Sequence, residues 1–161
     1  MRSIVYDREA AAAYAKKWAL KRNPAFYDFE NLGGDCTNFS SQCVFAGSGV
    51  MNYTPGAGWY YKSSYDRAPS WTGVMPFHSF MVNNLGVGPY MREAAREEMM
   101  KGDVVQLGTA SGRFYHTPFI VQVTGTEIYV ATHTYDSYMR PLSSYFYERI
   151  RYLHVEGART W

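Results

Sequence analysis

The stretch NLGGDCTNFSSQC, residues 31–43, places a cysteine directly after two glycines and an aspartate, at the start of a run of helical length. The two glycines predict a turn, and the following residues predict a helix that begins at Cys36 and ends at Gly47, where a left-handed residue is usual. Unpaired backbone N–H groups and the helix dipole at such a start favour a thiolate over a thiol. Cys36 therefore occupies the position of a cysteine nucleophile, with amides available to stabilise an oxyanion.

The second cysteine has a different environment on the predicted helix. Cys43 shares a stripe with Phe39 and Gly47, which indicates a buried core residue. Seven steps of about 1.5 Å separate the two cysteines by about 10.5 Å along the axis, and a disulfide requires Cα atoms within about 7 Å. The spacing is too long for a zinc knuckle, and the four histidines are dispersed. We therefore predict neither a disulfide nor a metal site.

Composition and charge exclude several classes of protein. The chain has 161 residues, and 16 Lys and Arg against 14 Asp and Glu leave a formal charge of +2. The basic residues are scattered, so we expect no nucleic acid as partner. No segment approaches the roughly 20 apolar residues of a membrane span, and residues 1–22 lack the uncharged run of a signal peptide. We expect one domain over residues 1–161, and we leave the compartment open, because a domain excised from a secreted protein would also lack a signal.

The order of the secondary-structure patterns predicts the fold class. Helical patterns come first along the chain and strand patterns second, which indicates an α+β fold with an antiparallel sheet packed against the early helices. A doubly wound βαβ fold would alternate them instead. The predicted helices span residues 7–22, 36–47, 75–85 and 90–100, and the predicted strands span residues 102–108, 116–125, 126–134 and 145–155.

Aromatic residues are unusually common, with fifteen Tyr, nine Phe and four Trp. Many lie in residues 48–89, a segment rich in Gly, Pro and Ser that we interpret as an irregular but packed excursion. Its rings either line a groove for a polar substrate or fill an aromatic core, and both interpretations stay open. The rings concerned are Trp59, Tyr60, Tyr61 and Trp71.

A cysteine nucleophile needs a base, and the base needs a residue that orients it. His116 opens a predicted strand at a sheet edge and is the best candidate base. If the flanking strands pair as a hairpin turning at residues 124–126, His133 lies opposite His116 at the same end of the sheet. His78 and His154 have no such placement, so we predict that they are surface residues or satisfied core residues.

Several motifs together resemble a known family. The run GGDCTNFSSQC, with the upstream NPAFYDF and the downstream KGDVVQL, HTPFIVQV and THTYD, resembles the bacterial amidase domains of the papain-like cysteine hydrolase group, relatives of the CHAP amidases and the NlpC-type cell-wall peptidases. The likeness covers residues 6–155, and its most specific element is the DCTNF run followed by SQ. Asp35 and Asn38 belong to this motif, and we interpret them as shaping the turn and the helix start. Residues 48–89 carry no motif of the family.

The resemblance implies a catalytic triad. In the family, the cysteine at the helix start is the nucleophile, a histidine at the start of a strand is the base, and a polar residue on the next strand orients the base. Cys36, His116 and His133 match these places, and Asp136 is a rival of His133 for the third.

The activity that the resemblance implies is hydrolysis of an amide bond by acyl transfer, without a metal or an organic cofactor. The implied substrate is a peptidoglycan fragment, or another peptide or amide. Two alternatives stay open: a cell-wall-binding module on the same fold without catalysis, and an intracellular amidase of small molecules.

Overall fold

A computed structural model describes residues 1–161. Two helices dominate the N-terminal part of the chain. Helix α1 spans Arg8–Trp18, and the Asp7 carboxylate caps it by accepting a hydrogen bond from the Ala10 amide at 2.9 Å. Helix α2 spans Cys36–Ser48 and begins at the residue that the sequence predicts.

The end of α2 differs from the prediction. Gly49, with φ of 69°, is the left-handed residue that ends the helix. Gly47 lies inside α2 because the helix passes too close to Tyr6 for a side chain: a Cβ at position 47 would lie 2.5 Å from Tyr6 Cε1. The glycine that looked like a helix stop therefore serves helix packing.

The segment between α2 and the main sheet is ordered, as predicted, and contains short elements. A hairpin is followed by two helices, the second of which lies close in sequence to the helix predicted at residues 75–85. The elements are β2 (Tyr61–Ser63), β3 (Asp66–Arg67), α3 (Pro69–Thr72) and α4 (Val74–Asn83).

An eight-stranded antiparallel sheet forms the rest of the molecule, which confirms the α+β class. The main path runs β1, β10, β5, β7, β8, β9, while β4 pairs with β10 and β6 pairs with β5. The strands are β1 (Arg2–Ile4), β4 (Gly88–Ala94), β5 (Val104–Gly108), β6 (Phe114–His116), β7 (Phe119–Val123), β8 (Ile128–Thr132), β9 (Ser137–Pro141) and β10 (Arg149–Thr160).

The helix predicted for residues 90–100 is wrong. Most of its first half belongs to β4, and only Arg96–Glu98 form a short 3₁₀ turn. The segment is rich in Ala, Glu and Arg, which favour helices, but pairing along β10 satisfies its backbone and overrides that preference.

Buried apolar residues form two cores, a large one and a small one, on the two faces of the sheet. Successive side chains of a strand point to opposite faces, so neighbouring residues belong to different cores. On β5, Val104 belongs to the large core and Val105 to the small one. The large core holds Phe39, Cys43 and Trp71 and lies under α2, eleven of whose thirteen residues are buried. Helix α2 is thus a central element, and its N-terminus meets the sheet. None of the helices is both long and apolar enough to cross a membrane.

Candidate active site

The turn before α2 depends on two glycines. Gly33 and Gly34 have φ of 97° and 104°, in the left-handed region that glycine adopts readily. Gly34 also packs closely, because a Cβ there would lie 3.2 Å from Thr134 Oγ1. The turn delivers Cys36 to the first position of the helix.

Asp35 and Asn38 hold this turn in place. One Asp35 carboxylate oxygen accepts hydrogen bonds from the Phe29 amide and from Asn38 Nδ2, both at 2.8 Å. Asn38 also donates to the Tyr27 carbonyl and accepts from the Trp71 indole N–H. Their bonds therefore agree with the prediction that both residues shape the turn and the helix start.

The Cys36 sulfur lies at the junction of α2 and the sheet. The side chain is buried, and its sulfur is 3.8 Å from Thr37 Oγ1. Burial raises the pKa of the Cys36 thiol, although hydrogen bonds from the Thr117 amide and from Thr37 lower it in part. The position at a helix start predicted a thiolate, but desolvation is the larger effect here. Burial therefore favours the neutral thiol of Cys36 in the resting protein.

His116 ends β6 and lies next to the residue that contacts the cysteine. Thr117 joins the sheet to α2: its hydroxyl is 2.9 Å from Thr37 Oγ1, and its carbonyl accepts a hydrogen bond from Ser40 Oγ at 2.6 Å. No hydrogen bond links the Cys36 sulfur directly to the His116 ring, a link that often forms only once substrate is bound. Cys36 and His116 are thus the chain neighbours of Thr37 and Thr117, whose hydroxyls are in contact.

The His116 ring is buried and neutral. Burial and, to a smaller extent, the nearby Arg140 guanidinium lower its pKa to about 4. Its Nε2 lies 3.5 Å from Thr132 Oγ1, and the Thr132 hydroxyl donates its own hydrogen to the His133 carbonyl at 2.7 Å. The Thr132 oxygen is then available to His116 only as an acceptor, so this contact favours the tautomer with its proton on Nε2 and an unprotonated Nδ1.

His133 does not meet His116. Its Nδ1 is 2.5 Å from Asp35 Oδ2, its Nε2 is 2.8 Å from the Trp18 carbonyl, and its ring stacks on Phe39 with centroids 4.2 Å apart. Both ring nitrogens are occupied, so His133 connects α1, the turn and α2.

Asp136, the rival candidate, lies elsewhere. Its carboxylate forms two hydrogen bonds with Arg22, at 2.6 and 3.2 Å, and the same guanidinium approaches Asp28 and Glu30. Asp136 therefore belongs to a surface ion-pair group, and no contact joins it to His116.

The register of the hairpin explains these placements. The assumed register would pair Phe119 with Val130, whereas the structure pairs Phe119 with Ala131, and an irregularity follows between Ile120 and Gln122. Because side chains alternate between the faces of a strand, a shift of one residue exchanges the faces. Thr132, which the sequence pattern did not single out, is the β8 residue that contacts His116. A Thr in the alternating pattern of a strand gave no signal of this contact.

The other predicted residues are accounted for by core and surface contacts. His78 Nε2 lies 2.6 Å from Glu93, and His154 Nδ1 lies 2.9 Å from the buried Asp103. Trp59 and Trp71 are fully buried in the large core, so they do not line a groove. Their indole N–H groups donate to Ser41 and Asn38 of α2, and thus support the helix that carries Cys36.

Comparison with known proteins identifies the family. The family model described as "Putative amidase domain" matches residues 5–155, so the chain belongs to this family. This membership supports an amidase function in general terms.

Two relatives in Bacillus subtilis (strain 168) have similar sequences. "Uncharacterized protein YhbB" is 38% identical over 143 residues, which cover 86% of this chain and 45% of that protein. "Uncharacterized protein YjcM" is 27% identical over 137 residues, covering 80% of this chain and 31% of that protein. The chain thus spans less than half the length of either relative. No solved structure matches the chain significantly.

Proposed function

We propose that the protein is a cysteine-dependent amide hydrolase in which Cys36 is the nucleophile and His116 is the base. The observation that carries the proposal is the junction at Thr117, where the start of α2 and the strand end bearing a neutral histidine are bonded together. Membership of the amidase family supports this chemistry. A cysteine at a helix start packed against an antiparallel sheet also supports a relationship to papain-like enzymes.

The resting protonation states suit a concerted attack. The Cys36 thiol would transfer its proton to His116 Nδ1 as the sulfur attacks the amide carbonyl and the new C–S bond forms. The first amides of α2 lack helical acceptors, so they could stabilise the oxyanion. The imidazolium would then protonate the leaving amine as the C–N bond breaks, and water would hydrolyse the acyl-enzyme.

We assign the third position to Thr132 in place of His133 or Asp136. The support is that Thr132 accepts from Nε2 and so keeps Nδ1 unprotonated. A neutral hydroxyl orients the ring but stabilises an imidazolium less than a carboxylate would. His133 would contribute indirectly, by holding Asp35 and the turn that carries Cys36.

We propose peptidoglycan as the substrate, with cleavage either at the bond from the sugar lactyl group to the stem peptide or within the stem. The resemblance to cell-wall amidases supports this choice. The test is incubation with purified sacculi, followed by mass analysis of the released fragments. Wild-type protein should release peptides with one defined new terminus, Cys36→Ala should release none, and Cys43→Ala should retain release if it folds.

Three other results would each contradict part of this proposal. Equal release by wild type and Cys36→Ala would exclude the nucleophile assignment. Binding to sacculi without release would indicate a wall-binding module, and hydrolysis of simple amides alone would indicate an amidase of small molecules.

A further inference from the structure

An arginine without a carboxylate partner lies beside the candidate site. Arg140, on β9, stacks on the Tyr145 ring with its Cζ 3.6 Å from the ring centroid. Its Nε and Nη2 donate to the hydroxyl and carbonyl of Ser144, at 2.8 and 3.3 Å. Nη1 makes no hydrogen bond, and no acidic side chain forms a salt bridge with this half-buried guanidinium. Two nitrogens of the guanidinium are thus held by Ser144, while Nη1 has no acceptor.

Tyr145 adds a second unused donor at the same place. Its hydroxyl is buried and has no partner in hydrogen-bonding geometry, which is rare for a buried polar group, although Arg140 and Ser137 lie close enough to lower its pKa. The Tyr145 ring packs against His116, with ring centroids 5.5 Å apart. The side chain thus lies between Arg140 and the candidate base.

Electrostatics place these groups within reach of one another. Arg140 lowers the pKa of His116, after the larger effect of burial. Burial raises the pKa of Tyr145, Arg140 lowers it, and Cys36 raises it. Such effects weaken with distance, so they agree with the packing of Tyr145 between Arg140 and His116.

We propose that Arg140 Nη1 and the Tyr145 hydroxyl form a carboxylate-binding subsite beside Cys36, so that the preferred amide substrates carry a carboxylate next to the bond that is cleaved. This inference rests on the proposed function and specifies its substrate class. Nη1 of the guanidinium and the Tyr145 hydroxyl, neither of which has an acceptor, offer two donors to the same anion, and charge-assisted hydrogen bonds to a carboxylate are the strong ones. An uncharged carboxamide would gain less from the same donors.

The test uses two small probes that alkylate thiols and need no knowledge of the natural substrate. Iodoacetate and iodoacetamide differ in a carboxylate against a carboxamide, and both transfer their CH₂ carbon to the sulfur as iodide leaves. Rates are measured at low ionic strength by peptide mass spectrometry, separately for Cys36 and Cys43. Cys36 should react first with both reagents, because Cys43 is completely buried.

The measured quantity is the ratio of the iodoacetate rate to the iodoacetamide rate at Cys36. Arg140→Gln should lower this ratio about fivefold or more, because it removes the unpaired charge. Tyr145→Phe, which keeps the ring and removes the hydroxyl, should lower it by a smaller factor. Arg159→Gln is the matched control: Arg159 also stacks on a tyrosine, with its Cζ 3.7 Å from the Tyr90 ring, but at the opposite end of the sheet. In Arg159→Gln, the ratio of the iodoacetate rate to the iodoacetamide rate at Cys36 should equal that of wild type.

The outcomes separate this inference from the proposed function. An unchanged ratio in Arg140→Gln, or in Tyr145→Phe if Arg140→Gln fails to fold, overturns the subsite even if sacculi are cleaved. A lowered ratio together with intact sacculi supports an anion site beside Cys36 and removes the wall-amidase proposal alone. An equal fall in Arg159→Gln would also overturn the subsite, since the effect would then come from net charge.

Discussion

Thr132 and His133 are neighbours in sequence with opposite surroundings, so their substitutions should have opposite effects. Thr132→Val keeps the shape of the side chain and removes the acceptor of His116 Nε2, so kcat should fall about tenfold or more while stability changes little. His133→Gln should mainly destabilise the fold, because it removes a partner of the buried Asp35. Steady-state kinetics and urea unfolding of both variants measure the two effects. A fully active Thr132→Val, beside a stable but inactive His133→Gln, would return the orienting role to His133.

The buried His116 predicts a dependence of stability on pH. Its pKa is lowered to about 4 in the folded protein, whereas an unfolded histidine titrates near pH 6.5. Between these values the unfolded chain binds more protons, so this residue lowers the free energy of unfolding as pH falls from about 6.5 to 4, by about 3 kcal/mol in total, and has no effect above that range. Comparison with His116→Gln, which does not titrate, isolates this loss.

The same pKa predicts the acid limb of activity. The base stays neutral down to about pH 4, so kcat/KM should not decline with a midpoint near 6.5. If the free energy of unfolding changes with pH between 7 and 4 in the same way for wild type and for His116→Gln, the prediction is wrong. The His116 ring would then take up a proton in the folded protein at the same pH as in the unfolded chain.

At the scale of elements, α2 depends on the aromatic layer beneath it. Trp71 is fully buried, stacks on Phe26 and donates to Asn38 of α2. Trp71→Ala should therefore lower the free energy of unfolding by about 3 to 5 kcal/mol, as measured by urea denaturation. Tyr65→Ala is the control, because that ring is exposed and should change stability little.

Two outcomes of Trp71→Ala distinguish a ring of the core from a ring that lines a substrate groove. A stable Trp71→Ala protein with impaired fragment turnover would indicate a groove after all. A large loss of stability, with the remaining folded protein active, agrees with the core position seen in the structure.

At the scale of the whole molecule, Asp103 connects the first helix to the sheet. It is completely buried, and its carboxylate meets Arg8 at 2.8 Å, His154 at 2.9 Å and the Val155 amide at 2.9 Å. Removing one member of a buried charge group leaves the others uncompensated, so Asp103→Ala should cost about 3 to 5 kcal/mol of stability. Denaturant unfolding measures the loss.

A surface pair provides the comparison for Asp103. Glu98 bonds Arg92 where water screens both charges, so Glu98→Ala should leave the midpoint of unfolding nearly unchanged. Equal effects of the two substitutions would show that the buried network contributes no more than a surface pair.

The sequence by itself determined the start of helix α2, the fold class and the burial of Cys43. The glycine pair and the helix pattern predicted that Cys36 begins α2, and the order of helical and strand patterns predicted an α+β fold with an antiparallel sheet. These features depend on neighbouring residues, through turn geometry and the periodicity of apolar side chains. The buried position of Cys43 follows from the same periodicity.

Only the tertiary structure decided the partners of these residues. The β7–β8 register differs from the assumed one, and in the folded chain Thr132 contacts His116 while His133 contacts Asp35. The path of β10 makes a strand of a segment that favours a helix. The burial of Cys36 outweighs the helix-start effect on its thiol. Each of these outcomes depends on contacts between residues far apart in the chain, which local preferences do not encode.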